Sequence, residues 1–118
     1  MTPEAKYSAR LLGPAQIDLE RIALLHLDYV GVESARKITS AILDRIEVLQ
    51  TFPYIGAEID DDELRKQGCR GLLCKRRFLC VYRVIDQSVW VYHIVDTRSD
   101  YRKRLMRLLP AVVADDSD

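Results

Sequence analysis

The sequence predicts one α+β domain, in which an N-terminal strand and an antiparallel helical hairpin pack on an antiparallel sheet, with a short C-terminal helix. Two observations predict this fold: apolar residues recur at helical spacing in the first half, and three β-rich segments with short turns follow. The 118 residues, 48% of them hydrophobic, supply enough apolar material for one core. We therefore expect a single domain over residues 1–109 and an acidic tail over residues 110–118.

The first half of the chain predicts one strand and two helices. The strand runs from Tyr7 to Leu12 and is closed by Gly13 and Pro14, and proline suits a first helical turn. A first helix, expected to end near Gly31, carries an apolar stripe at Ala15, Leu19, Ile22, His26 and Val30. A second helix, which Pro53 ends, carries a stripe at Ala35, Ile38, Ile42, Ile46 and Leu49. The short connection between the two helices makes them antiparallel.

An acidic connector over residues 56–68 links the helices to the strands. We expect Asp60 to cap a short helix there and Glu63 to complete a capping box, with Arg65 and Lys66 at the C-terminal end. The consecutive carboxylates at residues 60–62 repel one another and point in different directions. Capping and solubility therefore explain the acidic residues better than a metal site does.

Three strands form an antiparallel meander in the second half. They are predicted over Cys69 to Cys74, Phe78 to Ile85 and Val89 to Val95, with a basic turn at residues 75–77 and a second turn at residues 86–88. Basic and apolar residues then alternate at helical spacing from Arg98 to Leu109. We expect a terminal helix or turn there, which Pro110 ends.

The charges of the chain are segregated, although they sum to a formal zero. Residues 68–107 hold ten Lys or Arg against three Asp or Glu, whereas residues 1–67 hold eight basic and twelve acidic residues. Local fields persist when the total charge cancels, so this asymmetry favours a surface that meets phosphate or an acidic protein. The alternative is that the basic side chains only solvate a sheet face and a helix.

Composition argues against a disulfide framework, a metal site, a bound cofactor and a membrane span. The three cysteines, Cys69, Cys74 and Cys80, are odd in number and lack zinc-site spacing, so we expect free thiols. The longest apolar run, Val89 to Val95, is far shorter than the roughly 20 residues of a spanning helix. The N-terminus lacks the continuous apolar segment of a secretory signal. These features predict a cytoplasmic protein.

Three segments, in this order, resemble the RelE/ParE superfamily of toxins from bacterial type II toxin–antitoxin modules. They are the helix end and loop from Leu49 to Gly56, the strand from Val81 to Asp86, and the last strand with its following arginine from Val91 to Tyr101. The resemblance spans Tyr7 to Leu105. It implies a toxin that arrests growth and is neutralised by a cognate antitoxin.

RelE-like members of this superfamily cleave messenger RNA on the ribosome. Such a site must deprotonate a ribose 2′-hydroxyl, neutralise the phosphate and protonate the leaving oxygen. The resemblance places the lysines of the RelE pattern near Gly71 and Leu73, which transfer no protons, and an early arginine near Leu79. Arg77, two residues earlier on the same face, can substitute for that arginine, and the resemblance also indicates Arg98 and Tyr101. His93, the only histidine in the meander, completes the nuclease candidates. Whether the chain is an enzyme stays open at this point.

ParE-like members instead inhibit DNA gyrase, and basic residues then form a binding surface for the target or the antitoxin. This surface is expected to comprise Lys75, Arg76, Arg77, Arg83, Arg98, Arg102, Lys103 and Arg104. The missing lysines and an isoelectric point near 6.7 favour the gyrase interpretation over the ribosome and messenger RNA. A member that has lost its toxicity and only forms complexes or regulates its own expression is a third possibility.

The resemblance also predicts how the antitoxin binds. We expect it to lay helical or extended segments along the helices and an exposed sheet face, and to neutralise the basic region as it folds on binding. The expected assembly is a hetero-oligomer of toxin and antitoxin.

Overall fold

The computed structural model describes residues 4–103 and residue 105. Its strands are β1 (Ser8–Leu11), β2 (Ala57–Glu58), β3 (Arg70–Cys74), β4 (Phe78–Ile85) and β5 (Ser88–Asp96). Its helices are α1 (Gly13–Tyr29), α2 (Val32–Glu47) with a 3-10 extension over Val48–Gln50, and α3 (Asp62–Lys66). Residues 101–103 and 105 are also helical. The predicted α+β fold is confirmed, while the predicted tail over residues 110–118 lies outside the described residues.

The five strands form one sheet in the order β1-β5-β4-β3-β2. The predicted meander of β3, β4 and β5 is antiparallel, with Leu79 opposite Val95. However, β1 lies parallel to β5, with Ser8 opposite Ser88, so the sheet is mixed rather than wholly antiparallel. The helical hairpin separates β1 from the other strands in the sequence, and the residues of an isolated strand do not specify its neighbour. The two-residue strand β2 was not predicted because it is too short to show a period.

The two helices bury their apolar residues to different extents. The stripe predicted for α2 is confirmed, since Ile38, Ile42, Ile46 and the following Leu49 are buried. Helix α1 buries only Ala15 and Ile22 fully. The helix ends before Val30, which is exposed, so the prediction that Val30 belongs to the buried stripe is wrong. Gly31 links the helices with φ +128°, a conformation that side-chain-bearing residues rarely adopt.

Apolar clusters pack on both faces of the sheet. On one face, α1 and α2 cover a core that includes Leu72, Cys80 and Tyr82. A second cluster joins Val81 and Tyr92 to Leu64 of α3 and to Leu105. The expectation of a sheet face left open for a partner is therefore wrong, because α3 and the last helical turn bring apolar side chains onto it.

Two local predictions are settled by hydrogen bonding and burial. The N-cap of α3 is Asp61, whose Oδ1 accepts a hydrogen bond from Leu64 N at 3.0 Å, and not Asp60. Neighbouring aspartates offer similar caps, and the sequence does not rank them.

The cysteines are free and buried, and burial raises the pKa of the Cys69 thiol to about 11 and that of the Cys80 thiol to about 12. Such thiols are poor nucleophiles near neutral pH.

Candidate partner-binding surfaces

The turn between β3 and β4 presents two cations in a left-handed conformation. Lys75 and Arg76 have φ values of 55° and 57°, and Arg77 N donates to Cys74 O across the turn at 3.2 Å. Turn positions with positive φ usually carry asparagine or glycine, which tolerate this conformation. Both side chains are exposed. Lys75 and Arg76 therefore place positive charge at the tip of the hairpin, and their backbone conformation lowers the stability of the turn.

Asp96 joins two of the predicted basic residues at the same end of the sheet. Its Oδ2 accepts a hydrogen bond from Arg77 Nε at 3.0 Å and forms an ion pair with Arg77 Nη2 at 2.9 Å, and its Oδ1 accepts a hydrogen bond from Arg98 N at 2.9 Å. Burial alone would raise the pKa of Asp96, but the Arg98 N–H and the Arg77 guanidinium lower the pKa below its usual value. The carboxylate is therefore ionised at neutral pH and offsets part of the positive charge.

The predicted basic residues do not form one patch. Lys75, Arg76, Arg77 and Arg98 gather where β3 turns into β4 and β5 ends. Arg83 lies six residues beyond Arg77 in the sequence, about 20 Å along an extended strand, and its Nη1 is 3.5 Å from Tyr92 Oη.

The other basic residues of the predicted surface follow β5. The Arg102 guanidinium lies over the Tyr101 ring, with 5.8 Å between Cζ and the ring centroid, and Lys103 Nζ is 3.6 Å from Asp100 Oδ2. Arg104 lies outside the described residues. We call the group at the sheet end, Lys75, Arg76, Arg77 and Arg98, the basic end.

His93 holds the helical layer to the sheet. The residue is 4% exposed, and its Nδ1 is 3.0 Å from Asp18 Oδ2 on α1. The same oxygen accepts a hydrogen bond from Ile94 N at 2.9 Å. A carboxylate only accepts, so Nδ1 carries the proton. Within the described residues, the buried Nε2 atom finds no hydrogen-bond partner. This side chain is too buried to reach a substrate.

The four nuclease candidates therefore do not converge. Arg77 and Arg98 meet at Asp96, whereas His93 is buried against Asp18. Tyr101 is half-buried and packs against the second apolar cluster. Of the four, the structure brings only the two arginines together.

An apolar groove between α1 and α2 is a surface feature that the sequence did not indicate. It encloses about 430 Å³ and is lined by Ala23, Leu27, Val32, Ala35, Arg36, Thr39 and Ser40. A second cavity of about 260 Å³ at the end of α1 includes Tyr29 and Arg77 in its lining. The two cavities share no lining residue. The sequence feature that indicates a partner-binding surface on α1 is that this helix is apolar on more than one side. As a result, Leu24, Leu25 and Tyr29 are exposed.

No three His, Cys, Asp or Glu side chains among the described residues lie together as metal ligands would. Within the same residues, no helix has the length and apolar character that crossing a bilayer requires.

Comparisons with known proteins place this arrangement in a family. The model of the "ParE toxin of type II toxin-antitoxin system, parDE" matches residues 10–101. A solved structure, "Chromosomal ParDE TA system from P. aeruginosa", is similar in fold, with a TM-score of 0.66 and 23% identity over 79% of this chain and 98% of that chain. No curated protein matches the sequence. Because the family match covers well over half of its residues, the chain belongs to the ParE toxin family of type II toxin–antitoxin systems.

Proposed function

We propose that this chain arrests growth by binding and inhibiting DNA gyrase, and that a cognate antitoxin neutralises it in a hetero-oligomer. Family membership supports the toxin role and the antitoxin partner. The observation that carries the choice of target is that the four nuclease candidates lack a common proton-transfer site, since only Arg77 and Arg98 meet. Inhibition by binding needs no such site, whereas cleavage of RNA does.

The lysine positions of the RelE pattern illustrate this lack. A Cβ atom added to Gly71 would lie 2.7 Å from Leu79 Cδ1, so no lysine fits there without moving Leu79. Leu73 is exposed but apolar. His93, the histidine of the meander, is held by Asp18 inside the fold. The basic end itself consists of the Lys75 ammonium group and three guanidinium groups, and guanidinium groups remain protonated and do not act as general bases.

The groove and the basic end support the antitoxin as partner. Antitoxin segments that fold on binding suit a long apolar groove, where an amphipathic helix buries its apolar face. The basic end suits acidic residues of the antitoxin, because guanidinium groups form paired hydrogen bonds with carboxylates. The toxin therefore offers the antitoxin both an apolar and an ionic site.

Substitutions of Lys75 and Arg76 at the hairpin tip distinguish the effect of backbone strain on stability from the effect of their charges on antitoxin binding. Replacing Lys75 with Asn and Arg76 with Gly is expected to raise the free energy of unfolding by about 1–2 kcal/mol, because these residues tolerate positive φ. The same change removes two cations and is expected to weaken antitoxin binding by about three- to tenfold. Urea denaturation and calorimetric titration measure the two effects. The control, Lys75→Gln with Arg76→Gln, removes the same charges but leaves the backbone strain in place. An equal gain in stability in this control would show that backbone strain is not the cause of the gain.

Two parallel assays test the target. The purified chain is added to a gyrase supercoiling reaction, and separately to a translation reaction whose transcript ends are mapped. We expect supercoiling to stop and transcripts to stay intact, with supercoiling restored by the antitoxin. Transcript cleavage that Arg98→Ala abolishes would instead show the RelE-like nuclease. If neither reaction responds and induction leaves growth unaffected, the chain has lost its toxicity.

A further inference from the structure

The loop between the 3-10 helix and β2 exposes three large apolar side chains. Phe52, Tyr54 and Ile55 are 49%, 58% and 50% exposed. With Thr51 and Pro53 they surround an open depression of about 380 Å³. None of these residues lines the groove between α1 and α2. The loop is therefore an apolar surface apart from the proposed antitoxin groove.

Polar contacts hold this loop in place, together with the burial of Pro53. The hydroxyl of the buried Tyr82 donates to Pro53 O at 2.8 Å and accepts from Gly56 N at 3.0 Å. Arg70 Nη1 donates to Gly56 O at 2.7 Å, and its guanidinium lies over the Tyr54 ring, with 5.1 Å between Cζ and the ring centroid. A rigid apolar surface loses little conformational entropy when a partner binds, as in the centres of protein interfaces.

Gly56 shows how closely the loop is fitted to the sheet. A Cβ atom at this position would lie 2.6 Å from Tyr82 Oη and 2.8 Å from the backbone oxygen of Gly71. The backbone contact cannot be relieved by a rotamer change. The loop is thus fixed against β3 and β4 while its apolar side chains face outward.

An acidic segment flanks the loop. Residues 57–67 contain five acidic and two basic side chains, and Glu58 lies opposite Arg70, the residue that covers Tyr54. Asp60 and Asp62 are almost fully exposed, with Arg65 reaching both. The surface is therefore apolar at its centre with a net negative charge at one side, the reverse of the basic end.

These features fit a folded protein surface with an apolar pocket and a rim of lysine or arginine. A preformed loop suits a preformed partner, whereas a segment that orders on binding suits the groove. An enzyme that holds DNA presents basic surfaces, which complement the acidic flank. We propose that the loop over residues 52–55, with its acidic flank, is the surface through which the toxin contacts gyrase. This inference rests on the proposed function.

The test compares two ligands and two matched variants by calorimetry. Phe52→Ser combined with Tyr54→Ser is expected to weaken binding to purified gyrase by at least about tenfold and to leave antitoxin binding within about twofold. Leu27→Ser, a loss of apolar surface in the groove, is expected to give the reverse pattern. Asp60→Asn with Asp62→Asn is expected to reduce the salt dependence of gyrase binding. Thermal unfolding confirms that each variant is folded.

The outcomes distinguish the inference from the function on which it rests. If the unmodified toxin binds gyrase and the loop variant binds equally well, the inference is overturned and the proposed function stands. A folded loop variant that loses both ligands equally also overturns it, because the two surfaces are then not separate. If the unmodified toxin does not bind gyrase, both proposals fail together.

Discussion

Replacing Asp18 with alanine is expected to lower the free energy of unfolding by about 3–5 kcal/mol. The reason is that one oxygen of Asp18 accepts hydrogen bonds from both His93 Nδ1 and Ile94 N, at 3.0 and 2.9 Å. Both donors would stay buried without a partner, and each unsatisfied donor costs about 1–3 kcal/mol. Urea denaturation followed by circular dichroism measures the loss.

Controls separate this contact from general effects on α1. Asp18→Asn keeps an acceptor oxygen and is expected to lose less stability than the alanine variant. Asp28→Ala, an exposed position of the same helix, is expected to change the free energy of unfolding by less than about 0.5 kcal/mol. In a double-mutant cycle, Asp18→Ala with His93→Ala should cost less than the sum of the single changes. A loss below about 1 kcal/mol for Asp18→Ala would show that water or another group satisfies the donors.

Helix α2 and the strand meander were predictable from local signals, a helical repeat in α2 and β-rich segments with short turns in the meander. Ile38, Ile42 and Ile46 recur once per turn, since one side of α2 packs on the sheet. In β4 and β5, short turns fix the order and direction of the strands. Helix α1 was less predictable, because it is apolar on several sides. The pattern alone did not show that Val30 lies beyond its end.

Contacts between distant residues explain what the sequence did not reveal about the surfaces. His93 and Asp18 are 75 positions apart, and nothing in either local pattern pairs them. The continuous basic segment of the sequence is divided in space, because a strand carries Arg83 away from Arg77. Asp96 was one of three acidic residues in a basic segment, and its bonds to Arg77 follow from the pairing of β4 with β5. Burial and charge at these positions depend on the register of the sheet.

Replacing Leu27 with aspartate is expected to weaken antitoxin binding by about a hundredfold or more. Leu27 lines the groove between α1 and α2. A carboxylate there must lose its hydration when an apolar helix face covers it, and nothing in the lining except Arg36 offers it a counter-charge. Calorimetric titration of the toxin with purified antitoxin measures the change, and size-exclusion chromatography of the co-expressed pair shows whether the complex survives.

Leu43→Asp provides the matched control for this prediction. Leu43 and Leu27 are both 42% exposed, so the two substitutions remove similar apolar surface and add the same charge. Leu43 lies on α2 but does not line the groove. We therefore expect its variant to bind antitoxin within about threefold of the unmodified chain. Equal losses for both variants would mean that the antitoxin covers α2 more broadly than the groove. Unchanged binding for Leu27→Asp would show that the antitoxin binds elsewhere, because burying a carboxylate against an apolar helix face lowers the affinity.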